Sequence, residues 1–118
     1  MIFCGIYSII NKINNKCYIG SAKNINDDTS NSRWYRHKSK LKKNIHPNKH
    51  LQNAWNLYGE NNFSICIMEE CPISELLNRE QCYLTIASQN SEMYYNKSFI
   101  AGKIEMTDEV KKKIKILS

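Results

Sequence analysis

Apolar residues alternate with polar ones early in the chain and recur every three to four residues further on. Residues 3–10 and 17–22 are two short apolar stretches around Asn11-Lys12-Ile13-Asn14-Asn15-Lys16. Asparagines tolerate turn conformations, so this pattern predicts a β-hairpin. The polar stretch 23–32 reads as a loop ending in side chains suited to N-capping a helix over 33–43. Pro47-Asn48 opens a second helix, with Leu51, Ala54, Trp55 and Tyr58 at i, i+3, i+4 and i+7, and Gly59 closes it. Residues 63–69 alternate Phe63, Ile65, Ile67 with Ser64, Cys66, Met68, the period of a strand. A third helix is expected over 74–87 after Pro72, then a last short strand over 94–99. Residues 107–117 carry a capping Thr, acids in the first turn and lysines later, a weak helix pattern.

A chain of 118 residues has room for one domain with a real core. Its 42% hydrophobic and 24% charged residues exclude a disordered composition. The five cysteines (Cys4, Cys17, Cys66, Cys71, Cys82) contain no C-x-x-C pair. That argues against a disulfide scaffold and against a closed zinc site, and they read as small buried residues in a reducing compartment. The apolar start has no preceding positive segment and is far too short for a membrane span, so the expected location is intracellular.

Charge changes the picture more. The net charge is +6, and residues 1–60 hold ten Lys/Arg against three Asp/Glu. Residues 33–50 (RWYRHKSKLKKNIHPNKH) hold seven cationic side chains and no acid. Solvated helix faces usually mix signs; a single-sign run interleaved with Trp34, Tyr35 and His37 fits a phosphate-tracking surface. Arg36, His37, Lys38, Lys40, Lys42 and Lys43 are the candidate nucleic-acid contacts. Gly20 joins them, because a glycine at a strand end lets phosphate approach the backbone.

Glu80 is the local anomaly. The third helix carries an apolar stripe of Leu76, Leu77, Tyr83, Leu84 and Ala87, and Glu80 completes it. A carboxylate drawn into an apolar face costs several kcal/mol unless it is paired or holds a metal. Two readings stand: Glu80 pairs with Arg79 or another base at the stripe's edge, or it holds a hard divalent cation beside a basic groove.

Gly5-Ile6-Tyr7 on the first strand and Tyr18-Ile19-Gly20 on the second resemble the paired motifs of the GIY-YIG nuclease family, most closely its phage and intron homing endonucleases. The downstream order of Arg33, His37, His46, Glu80 and Asn96 agrees, and the resemblance covers residues 3–100. The stretch between Gly20 and Arg33 is several residues longer than is usual in the homing members. The resemblance implies an α/β (α+β) fold, a small mainly antiparallel three-stranded sheet flanked by helices. It divides the chain into a nuclease domain over 1–102 and a basic helix or linker over 103–118, leading to a further DNA-binding region.

The implied activity is metal-dependent DNA endonuclease. Glu80 would hold a single Mg²⁺ or Mn²⁺ and Arg33 would contact the scissile phosphate. Tyr7 would be the general base with Tyr18 beside it, the two roles being exchangeable. His46 would assist proton transfer and Asn96 would orient the site. The implied partner is double-stranded DNA, bound by a monomeric domain with no small-molecule cofactor and no membrane. Residue type alone leaves plainer roles open: both tyrosines fit as strand packing residues, and His46 and His50 are separated by Pro47, which spoils a helical metal pair. The rival functions are a repair- or restriction-type nuclease, a nucleic-acid-binding module without catalysis, and a structural interaction domain.

Overall fold

The computed structural model describes residues 3–27 and 29–102; the helix or linker expected over 103–118 lies outside the described residues. The two apolar stretches form β1 (Gly5–Asn11) and β2 (Cys17–Ala22), antiparallel with Tyr7 opposite Gly20. Asn15 supplies the left-handed turn residue at φ 64°, and the Asn11 and Asn14 side chains accept from the turn's own N–H groups. β3 (Phe63–Glu70) pairs with the other edge of β1, giving the order β2-β1-β3, all antiparallel. A register shift between Ile6 and Tyr7 bulges this pairing.

The helices cover both faces of the sheet. α1 (Arg33–Lys42) and α2 (Lys49–Tyr58) pack with Tyr7, Ile9, Phe63, Ile65 and Ile67 on one face. α3 (Leu76–Ser88) packs Leu84 against Ile6 and Ile19 on the other. Successive strand side chains point to opposite faces, so β1 and β2 feed both cores. The long loop before α1 is anchored, not slack. Ile25 is fully buried, and the Asn24 and Ile25 carbonyls accept the N–H groups of Arg33 and Trp34 at 2.8 and 2.9 Å. The Ser32 hydroxyl accepts from Tyr35 N–H, so the first turn of α1 has partners for its otherwise orphaned donors. No helix among the described residues is long and apolar enough to cross a membrane.

Two expectations are corrected. Residues 94–99 do not form a strand: Tyr94 makes one parallel bridge to Cys17, and beyond it the Asn96 side chain takes over. Its carboxamide accepts Ile19 N–H and donates to Ile19 C=O, both at 2.9 Å, reproducing a strand's pairing with a single side chain. The cysteines are not buried either. Cys66 on β3 and Cys82 on α3 are both exposed, and the other three are half-buried.

Asn96 therefore holds the open edge of β2. Asn96→Ala leaves two strand groups without their partner, each worth about 1–3 kcal/mol where water cannot replace it. Asn96→Asp should be no better, since it sets an oxygen against the Ile19 carbonyl. Urea denaturation of both variants checks this, and full stability in Asn96→Asp would show that the second hydrogen bond contributes nothing.

Candidate active site

Tyr7 points from β1 into the face covered by α1 and α2, and it is 1% exposed. It fits because Gly20 stands opposite: a Cβ there would run into the Tyr7 ring and hydroxyl. Gly20 thus serves the tyrosine. It is buried against Tyr7, which corrects its reading as a glycine that admits phosphate to the backbone.

The Tyr7 hydroxyl lies 2.7 Å from His37 Nε2, and His37 Nδ1 lies 2.8 Å from His46 Nε2. The imidazoles stack at 5.1 Å between centroids, and Tyr18 meets both edge-on at 5.5 and 6.4 Å. His46 Nδ1 accepts the Asn48 backbone N–H at 3.0 Å. His37 is 8% exposed with both ring nitrogens engaged, so it is an interior residue and not a DNA contact.

Glu80 projects from α3 on the opposite face and accepts a hydrogen bond from the Ser21 hydroxyl. Arg79 does not neutralise it: that guanidinium makes a two-pronged pair with Glu69, at 2.7 and 2.9 Å, which fastens α3 to β3. Glu80 still acts electrostatically on Tyr7 and Tyr18, so the two faces meet around β2. Burial first, and then the neighbouring Tyr18 hydroxyl, push the Tyr7 phenol well above its ordinary range, while Arg33 pulls it down. Burial also raises Tyr18, as does Glu80.

A depression of about 460 Å³ opens beside Ser21, lined also by Lys23, Asn31, Arg33, Arg36 and Leu76. Its charged lining is wholly cationic. The basic run on α1 divides by helical period. Arg33, Arg36 and Lys40 fall at i, i+3 and i+7, and Lys40 acts on both histidines. Lys38 instead lies over the Trp34 ring at 5.2 Å, and Lys42 pairs with Glu60 at 3.5 Å, both toward β3. Lys43 is the C-cap of α1.

The GIY-YIG catalytic domain matches residues 3–96. The chain belongs to this family. Its GIY-YIG region is 39% identical over 89 residues to intron-associated endonuclease 1 of Enterobacteria phage T4, covering 75% of this chain and 34% of that protein. The chain therefore spans well under two thirds of that relative's length. Among solved structures it is similar to the catalytic domain of the intron endonuclease I-TevI in a mutant form, with TM-score 0.70 and 32% identity over 85% of this chain and 98% of that one. It is also similar to the catalytic domain of homing endonuclease I-TevI, with TM-score 0.68 and 33% identity over 80% and 98%. The sheet and helices described above are the GIY-YIG fold.

The structure thus gathers Tyr7, Tyr18, Arg33, His37, His46 and Glu80 around the β2 edge. Asn96 lies outside this group, on the strand's outer edge. Ser21 and Gln52 complete the surroundings without any motif to announce them. The signal for Ser21 is its place on the face of β2 opposite Tyr18, next to Gly20. For Gln52 it is a polar residue beside Leu51, Ala54 and Trp55.

The buried histidines set a dependence on acid. Burial first, then His46, Arg33 and Lys40, hold His37 down at about 3; burial and then Lys40 hold His46 at about 4. Unfolded, each takes a proton near pH 6.5. Below that pH the unfolded chain binds more protons than the fold, so stability is full above it and falls as the pH drops toward 4. Each histidine contributes a slope of about 1.4 kcal/mol per pH unit. Urea denaturation between pH 7.5 and 4.5 should show this loss, and His46→Gln should make it shallower. An equal slope in that variant would mean that His46 is protonated within the fold.

Proposed function

We propose that this domain is the catalytic part of a metal-dependent DNA endonuclease of the homing type. The observation that carries this reading is a carboxylate, Glu80, held by Ser21, which itself lines the cationic depression with Arg33, and acting electrostatically on two tyrosines.

Among the described residues no three His, Cys, Asp or Glu side chains come together as a metal cluster. A lone carboxylate still fits a hard divalent cation such as Mg²⁺ or Mn²⁺, which completes its shell with water and phosphate oxygens. Glu80 would hold it, with Ser21 fixing one carboxylate oxygen. When bound, the cation supplies positive charge to the phosphate oxygens and to the departing oxygen.

This chain's own residues supply the rest. Arg33 offers a planar donor fork to the scissile phosphate. Hydrolysis needs a base for the attacking water, and Tyr7 is the phenol with a fixed hydrogen-bond partner behind it. Its raised affinity for the proton means that it works as a base only when cationic charge at the site favours the phenolate. Tyr18, half-buried against the histidines, orients water or phosphate. The duplex runs along the Arg33–Arg36–Lys40 face of α1 and over Lys23, while Lys38 and Lys42 face away.

Supercoiled plasmid incubated with Mg²⁺ or Mn²⁺, and with chelator, tests the activity. Glu80→Gln keeps an acceptor for Ser21 and removes the negative charge, so it should abolish nicking while leaving the melting temperature near wild type. Full nicking in this variant would remove Glu80 from the site.

The two faces of α1 should separate in binding. Arg36→Gln with Lys40→Gln should weaken duplex binding on all sequences and flatten the salt dependence by about 0.9 in log–log slope per lost phosphate contact. Lys38→Gln with Lys42→Gln should leave that slope unchanged. Fluorescence anisotropy in a Glu80→Gln background measures both, and equal effects from the two pairs would rule out a one-sided DNA path.

A further inference from the structure

Gln52 is 2% exposed on the packed side of α2, where an apolar residue would avoid the cost of burying an amide. Its carboxamide is fully engaged. Oε1 accepts the His46 backbone N–H at 3.1 Å, and Nε2 donates to Leu41 C=O and Asn56 Oδ1, both at 3.0 Å. Asn56 continues to Asn44, the left-handed residue just past the C-cap of α1, at φ 61°. One side chain therefore ties the end of α1, the loop carrying His46 and helix α2 together.

That clamp holds His46 where the Asn48 N–H meets its Nδ1. A backbone N–H is always a donor, so this nitrogen carries no hydrogen, and the neutral ring must bear its proton on Nε2. His46 Nε2–H then donates to His37 Nδ1, and by the same exclusion His37 bears its proton on Nε2, facing the Tyr7 oxygen. All three hydrogen bonds run one way, toward Tyr7.

We propose that Gln52 is a positioning residue that locks this chain, so that the histidine pair serves Tyr7 as a hydrogen-bond donor and never as an acceptor of its proton. His37 Nε2 already carries a hydrogen and has no lone pair to offer the phenol. Donation to the oxygen favours the phenolate. The expected role of His46 in passing on a catalytic proton is thereby replaced: His46 fixes the tautomer of His37. This rests on the reading of Tyr7 as the base. The first arm of the test reads hydrogen-bond polarity without any reaction, so the two can fail separately.

Long-range ¹H–¹⁵N correlation spectra of the wild-type domain at pH 7 should show His37 and His46 both protonated at Nε2 only. A hydrogen on Nδ1 of either ring would overturn the proposal, whatever the variants do. In single-turnover cleavage of plasmid, Gln52→Leu should lower the maximal rate roughly tenfold, the loss typical when a partner orienting a functional side chain is removed, with the Nε2–H signals of both rings broadened or lost. Gln52→Glu, held neutral by burial, keeps an acceptor for His46 N–H and an O–H donor for Leu41 C=O, and should recover part of both. In a Tyr7→Phe background Gln52→Leu should slow cleavage little further, because its route to the chemistry is gone. Equal slowing in both backgrounds would show that Gln52 only supports the fold and would overturn its positioning role.

Discussion

Everything at the site depends on a tyrosine packed into a space that only a glycine leaves open. Tyr7 and Gly20 are direct partners across β1 and β2, and any side chain at Gly20 would strike the phenol. Paired strands put opposed residues on the same face at short range, so one missing Cβ leaves room for one ring. The hydroxyl is thereby brought to His37, and α1 must lie where that contact can form. The position of α1 in turn sets Arg33, four residues before His37 and one helical turn away, at the rim of the same space. The two halves of the motif are two sides of one packing constraint.

The opposite face has its own constraint and meets the first at a thin place. β2 is an edge strand, and Ser21 alternates with Gly20, so its hydroxyl reaches the α3 side while Gly20 serves the α1 side. α3 is fastened to β3 by Glu69 and Arg79, with the Tyr83 hydroxyl on the same carboxylate. That pair satisfies Arg79 and leaves the next residue, Glu80, to Ser21. Asn96 braces the outer side of the same strand. A short edge strand placed between two cores is well suited to carry groups from both, provided its open edge is held.

Periodicity and turn chemistry marked the hairpin, all three helices and β3, because each buries one face and announces it at its own period. β2 was placed to the residue, and Gly59 does close α2, at φ 88°. The failures have a common cause in side-chain contacts that no periodicity records. Asn96 replaces a strand with one side chain, which no local pattern distinguishes from a strand of similar composition. His37 sits in a basic run and looks solvated, yet at i+4 from Arg33 and i−4 from Leu41 it faces the core. The same run conceals that Lys38 and Lys42 have partners of their own. Gln52 was unreadable because the Leu41 carbonyl and the His46 N–H reach it only once α1 and the loop after it pack on α2, and a polar residue on an apolar face predicts burial of some partner without naming it.

The arrangement also explains why the groups behind Tyr7 are neutral. A lysine or arginine at the place of His37 would stabilise a phenolate more strongly, but a charge at 8% exposure costs several kcal/mol unless it is fully paired. Two imidazoles held neutral by burial supply a donor without that cost. The orienting part of the site can therefore lie inside the core, among Leu41, Leu51 and Trp55. The charged residues stay at the rim, where Arg33 and Glu80 are half-exposed and water screens them. Tyr7 stands at the boundary, with neutral hydrogen bonds behind it and charge in front. Its proton is tightly held in the free domain, and on the proposed reading of Tyr7 as the base it loosens only as cationic charge gathers at the rim, where Arg33 already pulls in that direction.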